Sequence, residues 1–133
     1  MYLFLDDERM PEDVTWVKLP CPEKHNSNWN IVRNYGKFCT SIEYLYKHTG
    51  YLPRFISFDH DLGRVHYVNA IKGLPANHGT DEKTGMDCAK WLVEFCLENN
   101  LDFPEYICHS QNPIGKENIV GLIESFKRSH ARK

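Results

Sequence analysis

The sequence predicts an α/β fold: a three-layer sandwich built on a parallel sheet of strand order 2-1-3-4. Three observations predict it. Four short apolar runs, Tyr2–Leu5, Trp29–Arg33, Arg54–Phe58 and Glu105–Cys108, have the length and flanks of buried strands. Segments with helical periodicity alternate with the later runs, which implies parallel strands joined by right-handed crossovers. The first and third runs are the most apolar, so they belong at the centre of the sheet.

The elements follow in order. Pro11 prevents continuation of the first strand, and residues 10–28, with Pro11, Pro20 and Pro22, hold no convincing helix. Trp16 and Val17 are expected to pack over the core edge. The second strand centres on Ile31 and Val32. Thr40-Ser41-Ile42-Glu43 reads as a capping box opening a helix with Ile42, Leu45 and Tyr46 as its stripe and Gly50 as its stop. After the third strand, residues 63–83 are polar and rich in glycine, and read as a lid-like loop. Thr84 caps the clearest helix, with Asp87 at its third position; Cys88, Ala89, Leu92, Phe95 and Cys96 form its stripe, and Asn99-Asn100 ends it. Pro104 precedes the fourth strand. Asn112-Pro113 opens the last helix, with Ile119, Leu122, Ile123 and Phe126 buried, and residues 129–133 read as a short basic tail.

The chain has 133 residues, one domain's worth, and carries a net charge of −2. That charge gives no strong field for duplex DNA or a membrane surface, although a local basic patch stays open. The five cysteines stand at 21, 39, 88, 96 and 108, without a C-x-x-C pair. An odd count suits a reducing compartment, and packed free thiols are favoured over a metal site. Charge begins at Asp6, and no apolar run approaches the ~18–20 residues of a membrane span. The expectation is a soluble, cytoplasmic protein.

The chemistry gathers at strand ends. Leu3-Phe4-Leu5 runs into Asp6-Asp7-Glu8-Arg9, Phe55-Ile56-Ser57-Phe58 into Asp59-His60-Asp61, and Tyr106-Ile107-Cys108 into His109-Ser110. In open α/β sheets the carboxyl ends of the strands form the ligand edge. Asp6, Asp7 and Asp59 there would repel one another unless a cation neutralised them, which suggests Mg²⁺ or Mn²⁺. The bland alternative is that Asp6 or Asp7 caps a turn or pairs with Arg9. His60 and His109 suit a base and an acid near neutral pH; they could equally ligate a metal, favouring Mn²⁺, Fe²⁺ or Zn²⁺, or be structural. Asp61 would orient a histidine or stand in an outer position at the metal. The mouth of the last helix, with Ser110, Asn112 and Gly115, offers backbone donors to a phosphate, and Thr84-Gly85 offers a second mouth. Arg9 could clamp a phosphate or pair with Asp7, Glu8 or Asp61. His25, His48, His66, His78 and His130 read as surface residues, with His66 and His78 as lid candidates.

Four blocks in order carry a resemblance. They are Leu5-Asp6-Asp7-Glu8-Arg9-x-Pro11; Ser57-x-Asp59-His60-Asp61-Leu62-Gly63; Thr84-Gly85-x-Asp87-x-Ala89-Lys90-Trp91-Leu92; and His109-Ser110-x-Asn112-Pro113-x-Gly115-x-Glu117-Asn118-Ile119. From about residue 2 to residue 126 the chain resembles the cyclic-phosphate-processing receiver-like domains, relatives of response-regulator receivers. The resemblance implies a receiver-like, flavodoxin-like sandwich. Asp6 and Asp7 match the metal-binding acids of receivers, and Asp59 matches their phosphoacceptor position. His60 and His109 are the family's additional histidines, which suggests hydrolysis of a cyclic phosphate. The sequence departs from ordinary receivers in lacking an evident helix between strands one and two and a fifth strand carrying the receivers' lysine. Both departures argue against phosphorylation-driven switching.

The function expected is a metal-dependent phosphoesterase. Its partner would be a phosphate-bearing small molecule, such as a cyclic nucleotide, or an RNA end carrying a 2′,3′-cyclic phosphate. Asp6, Asp7 and Asp59 would hold the metal, His60, His109 and Asp61 would do the proton work, and Arg9, Thr84, Ser110 and Asn112 would hold phosphate. The rival readings are a non-catalytic module that binds a nucleotide or a protein, and a phosphoacceptor receiver.

Overall fold

A computed structural model describes residues 1–19, 29–76, 78 and 82–131. Pro20, Cys21, Pro22, His25, Gly79 and the last two residues of the expected tail lie outside the described residues.

Four parallel strands form one sheet: β1 (Tyr2–Leu5), β2 (Trp29–Val32), β3 (Phe55–Phe58) and β4 (Glu105–Cys108). Their order is β2-β1-β3-β4, as predicted. Among the described residues four helices accompany them: α1 (Tyr35–Thr49), α2 (Arg64–Ile71), α3 (Gly85–Asn99) and α4 (Pro113–Ala131). A single 3-10 turn, Pro11–Asp13, follows β1.

The strand order dictates which face each connection covers. The crossings from β2 to β3 and from β3 to β4 run the same way across the sheet, so right-handed crossovers place α1 and α3 on one face. The crossing from β1 to β2 runs the other way and falls on the opposite face. The core divides accordingly. Leu3, Leu5, Ile56, Phe58 and Cys108 pack with α1, α3 and α4. Phe4, Trp29 and Phe55 pack instead with Val14 and Leu19, and Val17 lies against them. The third layer is therefore chain from the β1–β2 connection, with no α-helix among its described residues. Successive strand residues alternate between the two clusters, as a pleated strand covered on both faces requires.

Three expectations need correction. The helix expected from Thr40 starts one turn and a half earlier, at Tyr35. Asn34 is its N-cap: its side-chain oxygen accepts from the Lys37 N–H at 2.8 Å. Thr40 lies inside the helix and donates its hydroxyl to the Gly36 carbonyl at 2.8 Å. Phe38 therefore joins Ile42 on the buried stripe, four residues apart. Gly50 does end the helix, in the left-handed conformation.

Residues 63–83 are not one loop, because α2 occupies Arg64–Ile71. Apolar and polar residues alternate around α2 without a single stripe, and Gly63 provides no side-chain cap. His66, expected on the surface, is fully buried and anchors α2: it accepts from the Leu62 N–H at 3.0 Å through Nδ1 and donates from Nε2 to the Glu82 carbonyl at 3.0 Å. The third correction is at the C-terminus, where residues 129–131 continue α4 rather than forming a tail. His130 stacks on Phe126 and lies 3.1 Å from the Asp102 carboxylate. Cys39, Cys88, Cys96 and Cys108 are buried free thiols, as expected.

Candidate metal and phosphate site

The sheet ladder runs one residue beyond each strand. Asp6 N–H donates to the Val32 carbonyl (3.1 Å), Asp59 N–H to the Leu5 carbonyl (3.0 Å) and His109 N–H to the Phe58 carbonyl (2.8 Å). These bonds set Asp6, Asp59 and His109 in neighbouring positions on adjacent strands. One ligand atom from each lies within 4.8 Å of the others, and all three residues are buried.

Asp6 is held from all sides. Its Oδ1 accepts from the N–H groups of Glu8 (3.0 Å) and Arg9 (2.8 Å), and its Oδ2 from His109 Nε2 (2.9 Å). Burial pushes its pKa up, but the His109 bond and the two backbone bonds outweigh that and hold it below the ordinary carboxylate value. His109 is held below the ordinary histidine value by burial, only partly opposed by Asp6. The two directions agree on one state: an ionised Asp6 accepting from a neutral imidazole. The other ring nitrogen then accepts the Ser57 hydroxyl at 2.7 Å. Phe4 stacks on the ring at 4.6 Å, and Trp16 Nε1 donates to the His109 carbonyl at 2.8 Å. Arg33 donates to the carbonyls of Asp6 (3.1 Å) and Arg9 (2.6 Å), fixing the turn between them.

Asp59 differs. It accepts the His60 N–H through Oδ1 (2.9 Å), but burial and then the charge of Asp6 push its carboxyl up to about 8. Two buried carboxylates side by side, one of them resisting ionisation, form a donor set that a hard divalent cation would satisfy. Asp7 stands at the rim of the cleft, only half-buried, and is also pushed up by burial and by Asp6 and Glu8.

His60 follows Asp59 directly in the chain. Its Nδ1 donates to Asp61 Oδ1 at 2.7 Å, and Asn112 Nδ2 donates to the same oxygen at 3.3 Å. Burial would raise the Asp61 carboxyl, but the bonds from His60 and Asn112 bring it below its ordinary value. Two glycines allow this geometry. A Cβ on Gly115 would stand 2.4 Å from His60 Cγ, and one on Gly85 would stand 1.7 Å from the Asp59 carbonyl oxygen. The first turns of α4 and α3 thus press directly on the Asp59-His60 segment, and Gly85 N–H donates to the His60 carbonyl at 2.7 Å.

Asp7, Arg9, Asp59, Asp61, Ser110 and Asn112 line one cleft of about 550 Å³. Arg9 reaches into it, 3.5 Å from Asp6 Oδ2, donating to Gln111 Oε1 and lying over the Trp16 ring. Ser110 Oγ accepts from the Asn112 N–H, and Asn112 Oδ1 caps α4 through the Gly115 N–H. Thr84 stands apart from this set. It faces a neighbouring cleft, and its hydroxyl and N–H are engaged with Asp87 in the α3 capping box.

Arg33 and Gln111 gave no sign of a role in the sequence; Trp16 was expected only at the core edge, and the segment holding α2, whose Ala70 and Ile71 form a wall of the cleft, was expected as a loop. Ser57 left a signal, as a polar residue inside the apolar run Phe55–Phe58.

The family model described as "Cyclic-phosphate processing Receiver domain" matches residues 1–125. The chain belongs to that family. The sheet order and all-parallel pairing agree with the receiver-like fold the family name carries. No curated protein and no solved structure matches the chain. Like the sequence, the described residues of this receiver-family domain contain no fifth strand. No helix among them is long and apolar enough to cross a membrane.

Proposed function

We propose that this receiver-family domain is a metal-dependent phosphoesterase that opens cyclic phosphates, at an RNA 2′,3′-cyclic end or in a cyclic nucleotide. One observation supports the reading: Asp59 and Asp61 line one cleft, Asp59 as part of a buried group that could hold a cation and Asp61 bonded to His60. A divalent cation held by Asp6 and Asp59, with Asp7 at the rim, would neutralise phosphate charge and make a bound water more acidic.

The residues divide the remaining work. His60, with Nδ1 committed to Asp61, presents Nε2 as a proton carrier, and Asp61 fixes its tautomer. His109 enters this reading as the group that orients and ionises Asp6, because both of its ring nitrogens are already bonded. Arg9, Ser110 and Asn112 stand where a phosphate in the cleft would meet them. Thr84 contributes by seating α3 against Asp59 and His60.

The test is incubation with a short RNA ending in a 2′,3′-cyclic phosphate, with Mg²⁺, Mn²⁺ or EDTA, read by mass spectrometry. Metal-dependent addition of one water, lost in Asp59→Asn and reduced on the order of 10²-fold in His60→Ala, is the expected result. Turnover that persists in EDTA and in Asp59→Asn would overturn the reading.

A further inference from the structure

His60 lines not the cleft of Asp59 and Asp61 but a neighbouring one. The second, of about 500 Å³, lies between α3 and α4 and has His60 and Gly115 in its lining. Ala70, Asn112 and Ile114 line both clefts, so the two are adjacent. A phosphate alone needs a small fraction of this space; pockets of ~300–1,000 Å³ hold whole organic ligands.

The two clefts differ in chemistry. The first is acidic, with Asp7, Glu8, Asp59 and Asp61 against Arg9. Among the described residues the second has no carboxylate but Asp87, which is committed to the α3 cap; Met86, Leu74, Pro75 and Ile114 give it apolar surface, and His60, Thr84, Lys90, Asn112 and Asn118 give it polar groups. Ile114 is 72% exposed and Ile71 71% exposed, among the most exposed large apolar residues described. Single exposed aliphatics are ordinary, but Ile71, Leu74 and Ile114 all stand around these two clefts. Apolar side chains beside neutral and cationic hydrogen-bonding groups suit a flat heterocycle, and the cleft adjoins a site that suits phosphate.

We propose that the cleft between α3 and α4 is a nucleobase subsite, so that the substrate is a nucleoside cyclic phosphate with its base beside His60. The assignment rests on the phosphoesterase reading for its phosphate end. The base lies between Ile114 and the Leu74–Pro75 turn, within reach of the Lys90 ammonium and the Asn118 amide. Both side chains are exposed and neither belongs to the phosphate cleft, so both can be changed without touching the chemistry.

The test uses ¹⁵N-labelled protein with Mg²⁺ and three probes: adenosine 2′,3′-cyclic monophosphate, a dinucleotide with the same cyclic end, and the base-free cyclic phosphate of ethylene glycol. The nucleotide is expected to shift the amide resonances of Met86, Lys90 and Asn118 together with those of Asp59 and Ser110. The base-free compound is expected to shift only the latter. Lys90→Ala and Asn118→Ala should each weaken nucleotide binding about tenfold and leave the base-free compound unaffected. A dinucleotide that binds as well as the mononucleotide assigns the subsite to an RNA end; one that is excluded assigns it to free nucleotides. If the nucleotide shifts only the Asp59 and Ser110 region, the base subsite is overturned while the phosphoesterase reading stands. If no probe binds and none is hydrolysed, both fall.

Discussion

At the residue scale, the close approach of Gly115 to His60 separates a functional glycine from an incidental one. Gly121 lies on the same helix with nothing within 4 Å of the position a Cβ would take. Gly121→Ala should therefore stabilise the protein by about 0.5–1 kcal/mol, the helix propensity difference, and leave turnover unchanged. Gly115→Ala drives a methyl into the His60 ring. It should cut turnover on the order of 10²-fold with the fold retained. Thermal melts and initial rates on the two variants check both outcomes. Asp59 makes a second prediction. Its carboxyl is raised to about 8 when folded, so the folded state holds that proton more tightly than the unfolded chain does. The contribution to stability is full below the ordinary value of 3.8 and is lost as pH rises through about 8. Denaturant midpoints of the metal-free protein should fall across that window, flatten in Asp59→Asn, and recover with Mg²⁺ at the alkaline end. Asp6, Asp59 and His109 were legible in the sequence because parallel strands must bring their carboxyl ends to one edge. The division between His60 and His109 was not. It depends on Ser57, a single hydroxyl below the ring, whose direction no spacing rule supplies.

At the element scale, α1 shows how a helix start is misplaced. Asn34 and Thr40 both qualify as caps, and the Thr40–Glu43 pair matches the more specific pattern. Packing decides between them: starting at Tyr35 buries Phe38 and Cys39 against the sheet, and starting after Thr40 would forgo both. Asn34→Ala should cost about 1 kcal/mol, and Thr40→Ala, at an exposed interior position, should change stability by less than about 0.5 kcal/mol. Urea denaturation of the two variants measures the difference. Helix α3 was legible in full because its cap, stripe and left-handed stop at Asn100 agree with one another. Helix α2 was not, because its anchor is a buried histidine bonded to backbone at both ends, and a lone histidine in a polar stretch reads as surface.

At the scale of the whole molecule, strand order followed from composition alone, since only strands paired on both edges need to be apolar throughout. Amide exchange should rank the sheet accordingly: slowest in β1 and β3, faster in β2 and β4, measured strand by strand in native buffer. The two faces were harder to read. Prolines at 11, 20 and 22 argue in the sequence against a helix between the first two strands, but no periodicity shows that Val14, Val17 and Leu19 cover a sheet face. Tertiary position, not local pattern, makes those residues core.

The bond between Asp6 and His109 joins positions 103 residues apart, across the intervening strand β3. During synthesis Asp6 leaves the ribosome long before the residue that orients it exists. Asp6 and Asp59 can come together earlier, but the group is finished only when β4 docks. On the proposed reading, cation capture would thus be withheld from every shorter nascent chain, and the first competent molecule would be one whose sheet is already complete.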